Sequence, residues 1–294
     1  AGFMAVGAYA SAMLSTVVAP RLGWSPALLQ WVFFPFSLVV GGVLAALAGL
    51  AVGAPSLRLK GDYLAIVTIA AAEIVRLLLL STTWIETTGS ADGLVAYAND
   101  FRDINPFPNG DYGFGPWSYT ANQFWVLLFG LVVLALSALL IWRLVNSPWG
   151  RVIKGIREDE DAVRSLGKNV FAYKMQALII GGVFGGLGGI VYAAFANVSP
   201  GVYVTSITFF IWTALLLGGA ATIFGPVIGS VIFWVLQAFL SNILPELAIN
   251  GILPVDGTQA ATLRFVLVGI GLMLLVIYRP QGIFGDKREM TFVK

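Results

Sequence analysis

The chain has no cysteine and no histidine, and only 11% of its 294 residues carry a charge. Without cysteine there is no disulfide and no thiolate chemistry. Without histidine, His-ligated metal centres and imidazole general bases are excluded. Ordinary soluble domains are about 25% charged, and a chain that is 58% hydrophobic has too much apolar surface for a soluble fold of this size. The net charge of +2 gives no ground for a nucleic-acid partner. The phosphate-binding pattern G-x-x-x-x-G-K-[ST] is missing too. The one Gly-Lys dipeptide, Gly167-Lys168, is followed by Asn169, and Ala162 stands where the first glycine belongs.

What the chain does have is membrane-length apolar sequence, at residues 3–19, 28–53, 63–80, 121–142, 174–196 and 262–278. Residues 203–245 form a further apolar stretch, broken by G-G-A-A-T-I-F-G-P at Gly218–Pro226 into two spans or a re-entrant hairpin. The pattern predicts an all-α, polytopic transmembrane bundle with about eight membrane segments and one domain over residues 1–294. The chain opens at Ala1 inside an apolar run, so the true N-terminus, with at least one earlier helix, is expected to precede it. The 34 glycines suit close helix packing in lipid.

Lys and Arg fix the expected orientation. Residues 54–61, 143–174 and 279–294 carry two, seven and four of them, together 13 of 17. These regions are therefore assigned to the cytoplasm, with 147–174 as a cytoplasmic loop and 279–294 as a cytoplasmic tail. The segment 81–120 is acidic, with Glu86, Asp92, Asp100, Asp103 and Asp111 against Arg102, and falls on the opposite, periplasmic side. Gly41–Leu50 echoes Gly181–Ile190, and the two spans cross in opposite directions, as the halves of an inverted repeat do.

The run from Ser147 to Lys174 is the one long, densely charged stretch between apolar segments. Ser147 can cap a helix, Pro148 suits its first position, and Gly167 can end a following turn. Val152, Ile153, Ile156, Val163 and Leu166 supply an apolar side, and Arg157, Glu158, Asp159, Glu160 and Asp161 form a charged knuckle. Such a loop is either a docking element for a soluble subunit or a solvated helix with surface charges.

Gly150–Tyr173 resembles the cytoplasmic loop of branched-chain amino acid ABC importer permeases of the LivM type. Leu57–Arg76, L-R-L-K-G-D-Y-L-A-I-V-T-I-A-A-A-E-I-V-R, is similar to that family's early segment. Gly2–Tyr9, Leu215–Gly229 and Arg279–Gly285 match in the same order, so the resemblance covers nearly the whole chain. It implies a bacterial plasma-membrane permease that carries Leu, Ile or Val by alternating access and is not itself an enzyme. The implied partners are a homologous LivH-type permease, two cytoplasmic ATPase subunits that bind ATP and Mg, an extracytoplasmic substrate-binding protein, and membrane lipid. No cofactor is implied for this chain. The loop becomes the coupling helix, with Asp161-Ala162-Val163-x-x-x-Gly167 in place of the signature E-A-A-x-x-x-G. The later I-x-L-P part of that signature is absent, with Ala177 and Ile179-Ile180 at its place.

Glu73 lies 11 residues past Asp62, about 16 Å along a helix, and Arg76 is one turn further on. Charges at that depth border a substrate path or pair with each other. Thr68 is a weaker path candidate. Thr88-Gly89-Ser90-Ala91-Asp92-Gly93 stands where the family has T-G-G-x-x-G, with Ser90 for the second glycine. Thr88 and Gly89 belong either to a flexible outer gate or docking point, or to an ordinary polar turn. Asn105–Phe114 reads as an interfacial packing loop. Gly181, Gly185 and Gly189 repeat every four residues and are expected to form a helix-packing face.

Other solutes, such as urea, amides or other amino acids, remain alternative cargoes. An ion-coupled secondary transporter is disfavoured by the charged loop and the scarcity of intramembrane carboxylates. A membrane enzyme is disfavoured by the lack of His, Cys and clustered carboxylates.

Overall fold

The computed structural model describes residues 1–23, 33–59, 61–95, 97–114, 117–219, 222–250, 256–279 and 281–285. Residues 28–32 of the second expected segment, most of the C-terminal tail and Ala220-Ala221 of the glycine-rich break lie outside them. The chain divides into two units, Ala1–Ile207 and Thr208–Lys294.

The first unit is built on three helices: α1 (Gly2–Met13), α2 (Phe33–Ser56) and α9 (Val170–Phe195). Each is apolar on all sides, so periodicity alone does not choose the faces that meet; small residues do. A Cβ added to Gly7 would lie 2.2 Å from the Gly186 carbonyl oxygen, and one on Gly189 2.1 Å from that of Met4. Ala5, Ala8, Ala12, Ala193 and Ala194 are buried in the same cluster. Between α2 and α9 the contacts run Gly41 to Ile190, Ala45 to Gly186, Gly49 to Ile179 and Gly53 to Met175, which makes the pair antiparallel. Both of the echoing stretches, 41–50 and 181–190, supply small residues to this seam.

Beyond Met13, α1 passes through a π turn (Leu14–Val18) into Ala19–Arg21. The hydroxyls of Ser15 and Thr16 both donate to the Ala12 carbonyl at 2.9 Å, at the point where the helical ladder loosens.

Two other long helices are little covered: α3 (Asp62–Leu80), with no buried residue, and α6 (Ala121–Val145), with only Ala121 and Val126 buried. Between them lie the short helices α4 (Ile85–Thr88) and α5 (Asn99–Asp103) and an antiparallel hairpin, β1 (Asp111–Phe114) and β2 (Trp117–Thr120). The hairpin is an addition to the helical architecture expected from sequence. Thr120 and Gln123 form a capping box that starts α6. Phe107 packs on Tyr112 and Phe124, and Phe101 on Trp125 and Phe129, so the aromatic run does act as a packing loop. The helices α7 (Pro148–Glu158) and α8 (Glu160–Ser165) connect α6 to α9.

In the second unit, α10 (Thr205–Gly218), which starts at the end of the first, meets α11 (Gly225–Ile249) through glycine: a Cβ on Gly218 would stand 1.8 Å from the Gly225 carbonyl oxygen. The chain after α12 (Gly257–Tyr278) returns to that corner, where the Ile283 and Phe284 amides donate to the Leu217 and Gly218 carbonyls at 2.9 and 3.1 Å. Phe210 stacks on Phe265 at 5.7 Å, and the Arg264 guanidinium sits 4.7 Å from the Phe265 ring centre. The 203–245 stretch therefore resolves into one 14-residue and one 25-residue helix. Among the described residues, six helices are long and apolar enough to cross a membrane; Thr205–Gly218 and Thr262–Leu275 are shorter apolar helices.

Candidate functional site

The charged loop folds as a bent pair of helices. The Ser147 hydroxyl accepts the Gly150 amide at 3.4 Å, and Pro148 occupies the first turn of α7. Gly150 lets α7 fold against the end of α6, since a Cβ there would lie 2.2 Å from the Val145 carbonyl oxygen. The break falls at Asp159, whose backbone is extended and whose Oδ1 accepts the Asp161 and Ala162 amides at 2.9 and 3.0 Å. One residue thus ends α7 through its backbone and caps α8 through its side chain. Sequence reading placed Asp159 in the charged knuckle without seeing this role, although an Asp ahead of Glu160-Asp161 is an N-cap signal.

Gly167, at φ +75°, closes α8 in the left-handed conformation, and Asn169 caps α9 through the Ala172 amide at 3.1 Å. Glu160 binds Arg164 at 3.0 Å and Lys174 at 2.5 Å, tying α8 to the start of α9, and Arg164 also reaches Asp161 at 3.2 Å. Trp149 donates to Gln176 at 2.8 Å. Val152, Ile153, Ile156 and Val163 are half-buried by the chain's own packing, with Gly155 close against Val163. Leu166 is 79% exposed, and Arg157, Glu158, Asp159, Asp161 and Ala162 also face outward. The apolar side is thus partly used internally, and the exposed element is a charged ridge tipped by one leucine.

On α3, Arg76 grips Glu73 in a bidentate pair, Nε lying 2.9 and 3.0 Å from the two carboxylate oxygens while Nη2 also bonds Oε1. Thr205, at the start of α10, donates to Glu73 Oε2 at 3.5 Å. The pair is not sealed: the Glu73 and Arg76 side chains are 35% and 20% exposed. Thr68 turns its hydroxyl onto its own helix, to the carbonyls of Leu64 and Ala65, and makes no hydrogen bond to the pair.

Thr88 and Gly89 sit elsewhere, in a tightly built turn. Thr88 is buried, donates to Trp84 O at 3.0 Å and accepts the Ser90 amide at 3.2 Å. Gly89 and Gly93 both have φ +72°; Cβ atoms there would stand 1.9 Å from Gly93 O and 2.0 Å from Val198 O. Leu94 and Val198 exchange backbone hydrogen bonds of 2.7 and 3.2 Å. This is the geometry of a fixed turn clamped to residues 198–199. Ser90, where the family pattern has glycine, has φ +48°, the one positive φ of a non-glycine residue among those described. Its hydroxyl donates to Leu80 O at 2.7 Å.

Two contacts escaped sequence reading altogether. The Arg102 guanidinium donates to the Ala194 and Phe195 carbonyls at 2.9 and 3.2 Å, capping the C-terminus of α9. Tyr97 donates to Ile190 O at 3.2 Å, and burial pushes its phenol above the ordinary range, which keeps it a donor. Both partners lie more than 90 residues away, and no local pattern announces them.

The glycine face needs a correction. Gly181 is exposed, with nothing within 4 Å of a Cβ placed there, so it is not part of the seam within this chain. The close face is Gly182, Gly186 and Gly189, all buried, with Gly185 meeting Phe3 at 3.1 Å. A three-four alternation, not a strict four-residue step, follows one side of a helix with 3.6 residues per turn. The partner helices, α1 and α2, lie in the same chain.

Among the described residues no group of His, Cys, Asp and Glu is arranged to hold a metal ion. The family profile described as "Branched-chain amino acid transport system / permease component" matches residues 1–277. The high-affinity branched-chain amino acid transport system permease protein LivM of Escherichia coli is 31% identical over all of this chain, which spans 64% of that relative's length. The probable branched-chain amino acid transport permease protein LivM of Methanocaldococcus jannaschii is 28% identical over 86% of this chain and 70% of its own length. A nucleoside ABC transporter permease protein, NupC, of Lactococcus lactis is 23% identical over 95% of this chain and 84% of its own length. No solved structure matches. A helical membrane chain with a charged elbow, matched by the profile from its first residue to residue 277, belongs to the family of permease components of branched-chain amino acid transport systems.

Proposed function

We propose that the chain is the membrane-spanning subunit of an ATP-driven importer that carries Leu, Ile and Val across the bacterial plasma membrane by alternating access. The observation that carries this reading is the α7–α8 elbow. It is rooted in two long spans, α6 and α9, fixed by the Glu160–Lys174 and Trp149–Gln176 contacts, and exposes Leu166 among charges. A rigid element of that kind can pass a push from a soluble ATPase to the helices that bear it. In this reading 147–174 and 279–294 are cytoplasmic, 81–120 is periplasmic, and ATP and Mg bind on two partner ATPases. A homologous permease completes the pathway and an extracytoplasmic protein delivers the substrate.

Glu73 and Arg76 border the path, where a zwitterionic amino acid finds a partner for each of its charges; Thr205 joins them. Thr68 lies nearer the cytoplasmic end, and Thr88 and Gly89 belong to the outer mouth. Uptake by the purified complex in proteoliposomes tests the reading. Radiolabelled Leu, Ile and Val should accumulate with ATP on the ATPase side and no ion gradient. Accumulation driven by an ion gradient without ATP would overturn it, and preferential uptake of a nucleoside or urea would reassign the cargo.

A further inference from the structure

The second unit carries one charge inside an apolar stretch. Between Thr262 and Leu275 of α12 the sole ionisable residue is Arg264, about 10 Å from the first residue of the helix and about 21 Å from its last. With α12 crossing the membrane as read above, a guanidinium lies inside a hydrocarbon layer about 30 Å thick. A cation at that depth is costly unless it meets an anion, which makes such a residue a functional position by default. Among the described residues no carboxylate pairs with Arg264; Glu246 and Asp256, the acids of this unit, are exposed. Its Nε is buried without an acceptor. Arg76, by contrast, is already held by Glu73.

The surroundings are specific as well. Arg264 lies over the ring of Phe265, which stacks on Phe210, and Phe210 meets Phe233 at 5.7 Å and Trp234 at 6.4 Å. Gln237 follows Phe233 by one turn on the same buried face of α11. It is 6% exposed, and its amide makes no side-chain hydrogen bond among the described residues. Helices α10, α11 and α12 thus bring an unpaired guanidinium, an unused amide and an aromatic wall into one neighbourhood. Phe265 and Trp234 are 42% and 51% exposed, so the wall is open on one side.

We infer that Arg264 anchors the carboxylate of a transported amino acid, and that the Phe210–Phe265 stack, backed by Phe233, receives its aliphatic side chain. The inference rests on the amino-acid importer reading above and deepens it by naming where the solute is recognised. A guanidinium offers a carboxylate two parallel N–H donors, a match that lysine cannot make. The Gln237 amide oxygen accepts from the α-ammonium group, and the aromatic faces attract the same cation. The wall carries no further charge, so a polar side chain would lose its hydration there without a replacement.

The test uses the full complex in proteoliposomes and compares leucine with leucinamide, which lacks the carboxylate charge. Arg264→Gln should raise the KM for leucine about 10–100-fold, the span of a lost pair of charge-assisted hydrogen bonds. It should also erase the preference for leucine over leucinamide. Arg264→Lys, which keeps the charge and loses the fork, should fall between the two. A purely structural arginine would lower complex yield and maximal rate but leave that preference intact, and this result would overturn the inference. A second measurement keeps Arg264 in place, in case its variants fail to assemble. A single cysteine at Val268, one turn from Arg264 in this cysteine-free chain, should be alkylated several-fold more slowly with leucine present and at an unchanged rate with leucinamide. Equal alkylation under both conditions would also overturn the inference. If withdrawal of anionic lipid brings wild-type uptake down to that of the Gln variant with solute preference unchanged, the anion is a lipid headgroup and the substrate site is wrong. Absence of ATP-driven leucine uptake by the wild-type complex would defeat the importer reading itself, and the inference with it.

Discussion

The Gly186 carbonyl oxygen lies where a side chain on Gly7 would begin, 2.2 Å from an added Cβ, so α1 and α9 touch backbone to backbone. Gly186→Leu or Gly7→Leu must push the two helices apart. Overpacking of that kind costs about 1–3 kcal/mol in a tight core, and here the backbones themselves have to move. A marked fall in the yield and melting temperature of the detergent-solubilised protein is expected. Gly181→Leu, placed in open space, should leave both unchanged; a comparable loss there would remove the assignment of the seam to Gly182, Gly186 and Gly189.

Asp159 separates two roles that a charge-reversal experiment would merge. Asp159→Asn keeps an oxygen for the Asp161 and Ala162 amides, whereas Asp159→Ala loses the cap, at about 1 kcal/mol. If the elbow transmits force through its shape, the Ala variant should lower uptake per ATP hydrolysed while the Asn variant stays near wild type. Combined reversal of Glu158 and Asp159 should uncouple hydrolysis from uptake without impairing membrane insertion. The ratio of transport to ATPase activity in proteoliposomes is the measurement, and a normal ratio in the Ala variant would sink the lever reading.

Glu73→Gln removes one charge and leaves Arg76 unbalanced beside Thr205. The double variant Glu73→Gln/Arg76→Gln should recover assembly lost in the single one, with a coupling of about 0.6 kcal/mol if it resembles other polar pairs in membranes. A role in the path predicts that this well-assembled double variant transports poorly or with altered preference among Leu, Ile and Val. Unchanged uptake kinetics in the double variant would confine the pair to a structural role.

Ser90 sits at φ +48°, a conformation that costs an L-residue about 1 kcal/mol and glycine almost nothing. Its hydrogen bond to Leu80 offsets part of that cost. Ser90→Gly is expected to leave the melting temperature within a degree or two. Ser90→Val, which keeps the strain, adds β-branching and loses the donor, should lower it clearly. Thermal scans of the two variants decide the matter; a tolerated valine would mean that the turn relaxes out of the left-handed region.

How much of this was readable in the chain depends on how local its cause is. The caps at Ser147, Pro148 and Gly167 act within one turn, and the structure places them as the sequence suggests. The i,i+3 spacing of Glu73 and Arg76 brought them together for the same reason. The hairpin at 111–120 and the double role of Asp159 were missed although their signals are short, because alternation and an N-cap are hard to recognise within a loop rich in aromatic residues or charges.

By itself the sequence determined that the chain lives in a membrane, where most of its long apolar segments lie and where the charged elbow falls, since each follows from composition and near-neighbour chemistry. Only the tertiary structure decided which glycines meet, that Arg102 caps a helix about 90 residues away, and that the 88–94 turn is clamped to Val198. The reason is physical. A helix that is apolar all round carries no hydrophobic stripe to name its buried side, so faces are chosen by steric fit between backbones, and that fit exists only once both helices are in place.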